Sequence, residues 1–180
     1  MRQSRFFAAL TLMLGLAACG GAERPPAPEA RSVPQAVRPS SGRAAVAATD
    51  FVARNGSIDL FVIRSSELAL QRSASPRVRD FATAMIDAHK GTSAQLSLAG
   101  RRLNLLPSAT LMAREQALLD ALQVSGRFDA DYVHDQRVVH QEAIALDSGY
   151  AANGASPTLR PIAKAALPIE QRHLRLLAYL

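Results

Sequence analysis

The sequence predicts an all-α fold, and three features of the chain after Asp50 support this prediction. Apolar residues recur there every three or four positions, the period of a helix with one buried face. No stretch of useful length alternates apolar and polar residues, as a half-buried strand would. Glycine and proline fall mainly between the periodic segments, where they mark helix ends. We therefore expect one helical domain over residues 48–180.

The first two predicted helices form a hairpin. Helix one is expected from Asp50, a good N-cap residue, to about Ser73. Helix two opens at Ser75-Pro76, a cap residue followed by a first-turn proline, and runs to about Arg102. Because the link between them is very short, the two helices must pack antiparallel. The expected buried positions are Phe51, Ile58, Val62, Ala69 and Leu70 in helix one, and Val78, Phe81, Ala82, Met85, Leu96 and Leu103 in helix two.

The second half of the domain repeats this plan after a crossover. A loop around Pro107 leads to a short helix near residues 110–123 and a break at Ser125-Gly126. Helix three is expected over about 127–148, and helix four opens at Ser156-Pro157. The expected buried positions are Phe128, Tyr132, Val139, Ala143 and Leu146, then Leu159, Ile162, Ala166, Ile169 and Leu177.

Pro168 lies inside helix four and is expected to kink it. Two antiparallel hairpins joined by a long crossover with a short extra helix indicate a ferritin-like four-helix bundle.

Residues 1–19 have the pattern of a bacterial lipoprotein signal peptide. Basic residues are followed by an apolar run, Phe6 to Leu16, that is too short for a permanent membrane span. The run ends in Leu-Ala-Ala-Cys, which resembles a lipobox. Cys19 is the only cysteine, so no intramolecular disulfide can form, and we predict that Cys19 is the lipid attachment site. Gly20, in place of an aspartate, favours the outer membrane, with the domain facing the periplasm or the cell surface.

Residues 20–47 are expected to form a disordered tether, because they are rich in proline and lack aromatic residues and apolar periodicity. Without Arg2 and Arg5, nineteen basic residues face fifteen acidic ones. The arginines are scattered and are not interleaved with aromatic residues, so we expect no nucleic-acid binding. Membrane contact is expected through the lipid anchor, and association of the arginine-rich exterior with lipid or peptidoglycan stays open.

Five polar side chains are expected to point into the bundle, at least one from each long helix. They are Asp59, His89, His140, Glu170 and His173. Imidazole and carboxylate groups that face one another between helices can hold a transition metal such as iron, copper or manganese. His134 is expected to point to solvent.

The heights of these residues along the helices favour one pair. Asp59 and His89 lie equally far from the first turn and are expected to face each other. If the second hairpin turns near Asn153, His140 is level with about Leu167, and His173 lies roughly 9 Å further along. On that basis His140 and His173 are not expected to share one metal ion.

The sequence leaves three interpretations of the polar residues open: a structural polar layer, a mononuclear metal site and an acid–base site. Glu170 and His173 form the one Glu-x-x-His pair of the chain, whereas a ferritin-type di-iron site needs two, so no di-iron site is expected. No nucleophile elbow, phosphate-binding loop or zinc-type cluster is present in the sequence, and we expect no enzyme.

Three segments of the chain resemble the bacterial domain-of-unknown-function family 4142. They are the stretch from Ser57 to Lys90, FDADYVHDQRVVHQEAIAL, and SPTLRPIAKAALPIEQRHL. The resemblance covers most of residues 50–180 and implies a ferritin-like bundle in an exported envelope protein. The expected function is a non-catalytic binding, stress-related or structural role in the cell envelope. The alternative is transition-metal binding inside the bundle for storage, sensing or redox protection.

Overall fold

A computed structural model describes residues 45–180 of the chain. The predicted signal peptide, Cys19 and most of the predicted tether therefore lie outside the described residues. The described part is all-helical, as predicted, and has no strand. Its elements are α1 (Ala48–Arg72), α2 (Pro76–Arg101), α3 (Ala113–Val124), α4 (Phe128–Asn153) and α5 (Arg160–Leu176), followed by a 3-10 turn at Leu177–Tyr179.

The four long helices form two hairpins that pack side by side. α1 pairs with α2 and α4 pairs with α5, and the hairpins meet where α1 contacts α4 and α2 contacts α5. α4 runs antiparallel to α1. Near the start of α1, Phe51 stacks on Tyr150 with ring centroids 3.9 Å apart, whereas nearer its end the Ser66 and Tyr132 hydroxyls lie 2.8 Å apart.

The segment between the hairpins runs along α1. Near the start of this segment, Pro107 packs against Gly56 of α1. A Cβ atom at position 56 would lie only 2.6 Å from Cβ of Pro107, so the close approach requires glycine there. At the far end Arg72 donates hydrogen bonds to the carbonyls of Leu122 and Gln123 in the last turn of α3 and of Ser125 just after it. These contacts place α3 along the outside of α1.

Helix ends differ in part from the predictions. The Ser75 hydroxyl caps α2 by accepting a hydrogen bond from the Val78 N–H at 3.4 Å, as predicted. The prediction that Asp50 caps α1 was wrong. The helix starts two residues earlier at Ala48, and Asp50 lies in the first turn, where its charge still favours the helix dipole.

α5, in contrast, starts later than predicted. The Ser156 carbonyl accepts hydrogen bonds from the N–H groups of Leu159 and Arg160, which makes residues 157–159 a turn, and the helix begins at Arg160 with Pro161 in its first turn. α5 is continuous from Arg160 to Leu176 through Pro168, which lies on the exposed side.

The buried face of α5 differs from the predicted one. Leu159 and Leu177 are buried as expected, but Ile162, Ala166 and Ile169 are only partly buried. The buried helical positions are Ala163, Glu170 and His173. The inner face of this helix is therefore centred on two polar residues.

The core of the described part runs from Phe51 to Leu177 and draws on all five helices. A chain of residues 45–180 contains this core and is large enough to fold on its own. Within this part, no helix combines the length and the hydrophobicity needed to cross a membrane.

Candidate metal centre

Four side chains from three helices meet in the middle of the bundle. His89 comes from α2, His140 from α4, and Glu170 and His173 from α5. Their potential ligand atoms all lie within 4.8 Å of one another. His89 and His140 are fully buried, and Glu170 and His173 are only 3% and 5% exposed. Four of the five residues predicted from sequence thus form one compact group, and His134 is exposed as predicted.

The three imidazole rings form an equilateral triangle. The ring centroids of His89, His140 and His173 are 5.3 Å apart in each of the three pairs. The prediction that His140 and His173 are out of level was therefore wrong. It placed the second turn near Asn153, whereas the connection between α4 and α5 extends over residues 154–159.

The observed turns explain the alignment. His140 lies thirteen residues before the end of α4, and His173 lies thirteen residues after the start of α5. In the first hairpin, Asp59 and His89 have the same offsets from the end of α1 and the start of α2. Each pair therefore lies about 20 Å from its own turn, at matching heights.

Hydrogen bonds determine which nitrogen of two histidines faces the centre. Nδ1 of His140 lies 2.6 Å from the Gln136 carbonyl, which can only accept, so Nδ1 carries the hydrogen. Nδ1 of His89 lies 2.8 Å from Oδ1 of Asp59, which also accepts a hydrogen bond from the Thr92 hydroxyl. In both neutral rings, Nε2 therefore carries a lone pair and no hydrogen.

The centre thus brings together nitrogen and oxygen atoms that can each donate an electron pair. The two Nε2 atoms of His89 and His140 are 3.4 Å apart. Oε2 of Glu170 lies 3.9 Å and 3.7 Å from them, and it is buried with no hydrogen-bond partner among the described residues. Nδ1 of His173 is buried and unpartnered in the same way. Facing lone pairs in a dry interior are unfavourable unless a cation or a proton lies between them.

The distances fit a metal ion. Four ligands at about 2.1 Å in a tetrahedral arrangement are separated from one another by about 3.4 Å. The measured separations of 3.4, 3.7 and 3.9 Å are close to this value. The separations that involve His173 are no longer than 4.8 Å. Small inward movements of Glu170 and His173 would therefore complete the arrangement.

Burial controls the charge of the group in the absence of a cation. Burial raises the pKa of Glu170 to about 9, with smaller contributions from the Asp59 and Asp147 carboxyls. Burial lowers the pKa of His89 and His140 to about 3. At neutral pH the metal-free group is therefore uncharged, and a bound cation would replace the Glu170 proton.

Asp59 acts on the group through His89. Its carboxylate was predicted as a ligand candidate, but the structure places it behind the His89 ring, where it orients Nδ1. A carboxylate in this position fixes the tautomer and raises the basicity of a metal-binding imidazole.

Two polar residues near the group were missed from sequence. Gln136 orients His140 through its carbonyl, and its side chain donates to the Ser65 hydroxyl at 2.8 Å. Asp147 is buried and accepts a hydrogen bond from Asn55 at 2.7 Å. Both lie on the inner stripe of α4, four and seven residues from His140, and that spacing was the available signal.

Solved structures with the same fold include two kinds of protein. The structure described as CopM in the Cu(II)-bound form has a TM-score of 0.64 and 16% identity, covering 75% of this chain and 95% of that one. CopM in the Cu(I)-bound form has a TM-score of 0.62 and 16% identity, covering 74% of this chain and 94% of that one. A DUF305 fragment from Deinococcus radiodurans has a TM-score of 0.63 and 14% identity, covering 73% of this chain and 92% of that one. At these identities the likeness concerns the fold alone.

No curated protein shows significant similarity to this sequence. The family match, in contrast, extends over residues 33–180, which includes all five helices and every residue of the candidate metal centre. The chain belongs to the family described as domain of unknown function DUF4142.

Proposed function

We propose that the protein binds one transition-metal ion through His89, His140, Glu170 and His173, for storage, sensing or redox protection. The observation that carries this proposal is the convergence of four buried potential ligand atoms within 4.8 Å of one another. Two of these groups, at Oε2 of Glu170 and Nδ1 of His173, have no hydrogen-bond partner among the described residues. A purely structural polar layer would pair these atoms with one another, because hydrogen-bonded pairing is what makes buried polar groups tolerable. Here the pairing stops at the outer nitrogens of His89 and His140 and leaves the centre open.

The donor set indicates the class of metal. Imidazole nitrogen suits copper, iron, zinc and nickel, whereas magnesium and calcium prefer oxygen ligands. The single carboxylate of Glu170 offsets one positive charge of a divalent ion. Burial raises the pKa of Asp59, behind His89, to about 7, and a cation at the centre would favour its ionised form and so a second negative charge. Copper is the first metal to test, because imidazole binds it well and because CopM, which has the same fold, is described in copper-bound forms.

The test is metal binding by the purified chain after chelator treatment. We expect isothermal titration with Cu²⁺, and elemental analysis after gel filtration, to give one ion per chain. Zn²⁺ and Co²⁺ are titrated in parallel, and the visible absorption of bound Co²⁺ reports tetrahedral coordination.

His140→Ala is the test variant and His134→Ala is its matched control, because His134 is the exposed histidine of the chain. We expect His140→Ala to lose the ion and His134→Ala to retain it. Equal metal content in both variants, or a folded wild-type chain that takes up none of the three metals, would overturn the proposal.

We further propose that the protein is a lipid-anchored member of the cell envelope with a ferritin-type helix order. The signal pattern ending at Cys19 supports the anchor. The passage of the crossover along α1, followed by an α4 that is antiparallel to α1, supports the helix order. Cys19→Ser is expected to release the protein from membrane fractions and to abolish the mass added by acylation. Unchanged mass and unchanged membrane association would refute the anchor.

A further inference from the structure

The outer face of α5 is cationic along its whole length. Arg160, Lys164, Arg172 and Arg175 are all exposed. At 100° per residue they fall within an arc of about 120°, on the side away from the buried positions Ala163, Glu170 and His173. The only acidic residue of α5 is Glu170, which lies inside the bundle.

These charges are not neutralised by neighbouring groups. Within the described residues, none of the four takes part in an ion pair. Arg137 of α4, also exposed, adds a cation beside the end of α5, where it donates to the Leu177 carbonyl at 3.4 Å. Asp80 of α2 lines a hollow at this end. The basic residues named above outnumber this one acid, so positive charge predominates on this side.

Apolar side chains continue the cationic face. Leu176, Tyr179 and Leu180 are 39%, 76% and 40% exposed. Together with Phe81 and Arg77 of α2 they line an open hollow of about 510 Å³. A basic helix followed by exposed aromatic and aliphatic side chains is typical of segments that bind at the headgroup level of a bilayer.

The chain joins the helical part beside the start of this face. The Val46 carbonyl accepts a hydrogen bond of 3.1 Å from the Ala155 N–H, in the connection that leads into α5. An anchor at Cys19, which is part of the proposed function, would therefore be attached to the end of the domain where α5 begins.

We propose that the outer face of α5, with Leu176, Tyr179 and Leu180, docks on an anionic phospholipid surface. Each arginine or lysine near such a surface strengthens binding about fivefold at physiological salt. Several cations on one face are thus enough for reversible docking, and a lipid anchor would make it persistent.

The test uses residues 45–180, which contain the core from Phe51 to Leu177 and lack Cys19. Sedimentation with vesicles compares phosphatidylcholine alone with phosphatidylcholine that contains phosphatidylglycerol. We expect binding to the anionic vesicles only, and weakening as salt is added. Binding that does not depend on phosphatidylglycerol would overturn the proposal.

A matched pair of charge reversals locates the face. Lys164→Glu with Arg175→Glu changes α5 and avoids Arg172, the neighbour of His173. Arg54→Glu with Arg127→Glu makes the same change in net charge on exposed arginines of α1 and of the segment before α4. We expect at least a 25-fold loss of vesicle binding for the first pair and a several-fold loss for the second. Equal losses would show that only net charge matters and would overturn the assignment to α5.

A fluorescence measurement tests the apolar end separately. The chain contains no tryptophan, so Tyr179→Trp introduces a single reporter at an exposed site. We expect its emission to shift to shorter wavelength with anionic vesicles. An unchanged spectrum under conditions where the protein sediments with vesicles would exclude Tyr179 from the docking face.

Discussion

Glu170→Gln separates a metal ligand from a structural polar residue, because the two roles predict opposite effects on the metal-free protein. Glutamine has nearly the shape of protonated glutamate but cannot ionise. Glu170 is 3% exposed, and its Oε2 has no partner among the described residues. The substitution therefore removes no observed hydrogen bond of Oε2. It also gives the amide a donor that can reach towards the Nε2 atoms of His89 and His140.

The magnitude follows from the raised pKa. Between pH 4.5 and about 9 the folded chain keeps Glu170 protonated, whereas the unfolded chain ionises it. The folded state then holds more protons, so the free energy of unfolding falls as pH rises, by up to about 1.4 kcal/mol per pH unit. Glutamine does not ionise, so the free energy of unfolding of the variant does not fall in this way. We expect the metal-free variant to be more stable than the metal-free wild type by roughly 3–5 kcal/mol at pH 8, and about equally stable near pH 4.5.

The assay is urea unfolding followed by circular dichroism at both pH values, first with chelator and then with Cu²⁺. Metal stabilises the wild type in proportion to its affinity, and this stabilisation should increase up to about pH 9 because binding displaces the Glu170 proton. The variant should lose most of it. Glu67→Gln, at an exposed glutamate, is the control and should behave like the wild type. The reasoning fails if Glu170→Gln destabilises the metal-free protein at pH 8, or if the variant binds copper as tightly as the wild type.

Three further substitutions test the hydrogen bond behind His89 and the packing of the helices. Asp59→Asn keeps a hydrogen-bonding group behind His89 but removes its charge, and it should weaken metal binding by roughly 10- to 100-fold in a calorimetric titration. Tyr132→Phe leaves the buried Ser66 hydroxyl without its partner, and it should lower the free energy of unfolding by about 1–3 kcal/mol without changing metal content. Gly56→Ala places a Cβ atom 2.6 Å from Cβ of Pro107. Overpacking should cost about 1–3 kcal/mol in urea unfolding, offset by about 1 kcal/mol from the better helix propensity of alanine. A gain in stability of about 1 kcal/mol would mean that the crossover does not pack where the structure has it.

The helices could be predicted because their signals are local. Ser75-Pro76 is a cap and a first-turn proline in adjacent positions, and the structure uses both. The face of α5 was predicted only in part. Glu170 and His173 were expected to point inward and do so, but the hydrophobic pattern also placed Ile162, Ala166 and Ile169 inside, and these are only partly buried. Polar residues that are buried because they form a site do not follow the hydrophobic pattern that identifies a core.

The residues of the candidate metal centre could be predicted from the sequence, but their geometry could not. The pairing of Asp59 with His89 followed from a turn of three residues, which leaves little freedom in the alignment of α1 and α2. The pairing of His140 with His173 depended on the turn between α4 and α5. There, Ser156-Pro157 has the same sequence signal as Ser75-Pro76 but forms a turn, and the helix starts at Arg160. The observed connection covers residues 154–159, so the turn was placed a few residues too early. Because this displaces both helices relative to the turn, the expected neighbour of His140 moved by about 9 Å.

The distribution of the four ligands over the hairpins has a practical consequence. His89 belongs to the first hairpin, whereas His140, Glu170 and His173 belong to the second. In a chain cut at Leu106, an exposed position in the crossover, neither piece would carry the complete ligand set. An ion bound by residues of both pieces would strengthen their association in proportion to the metal concentration.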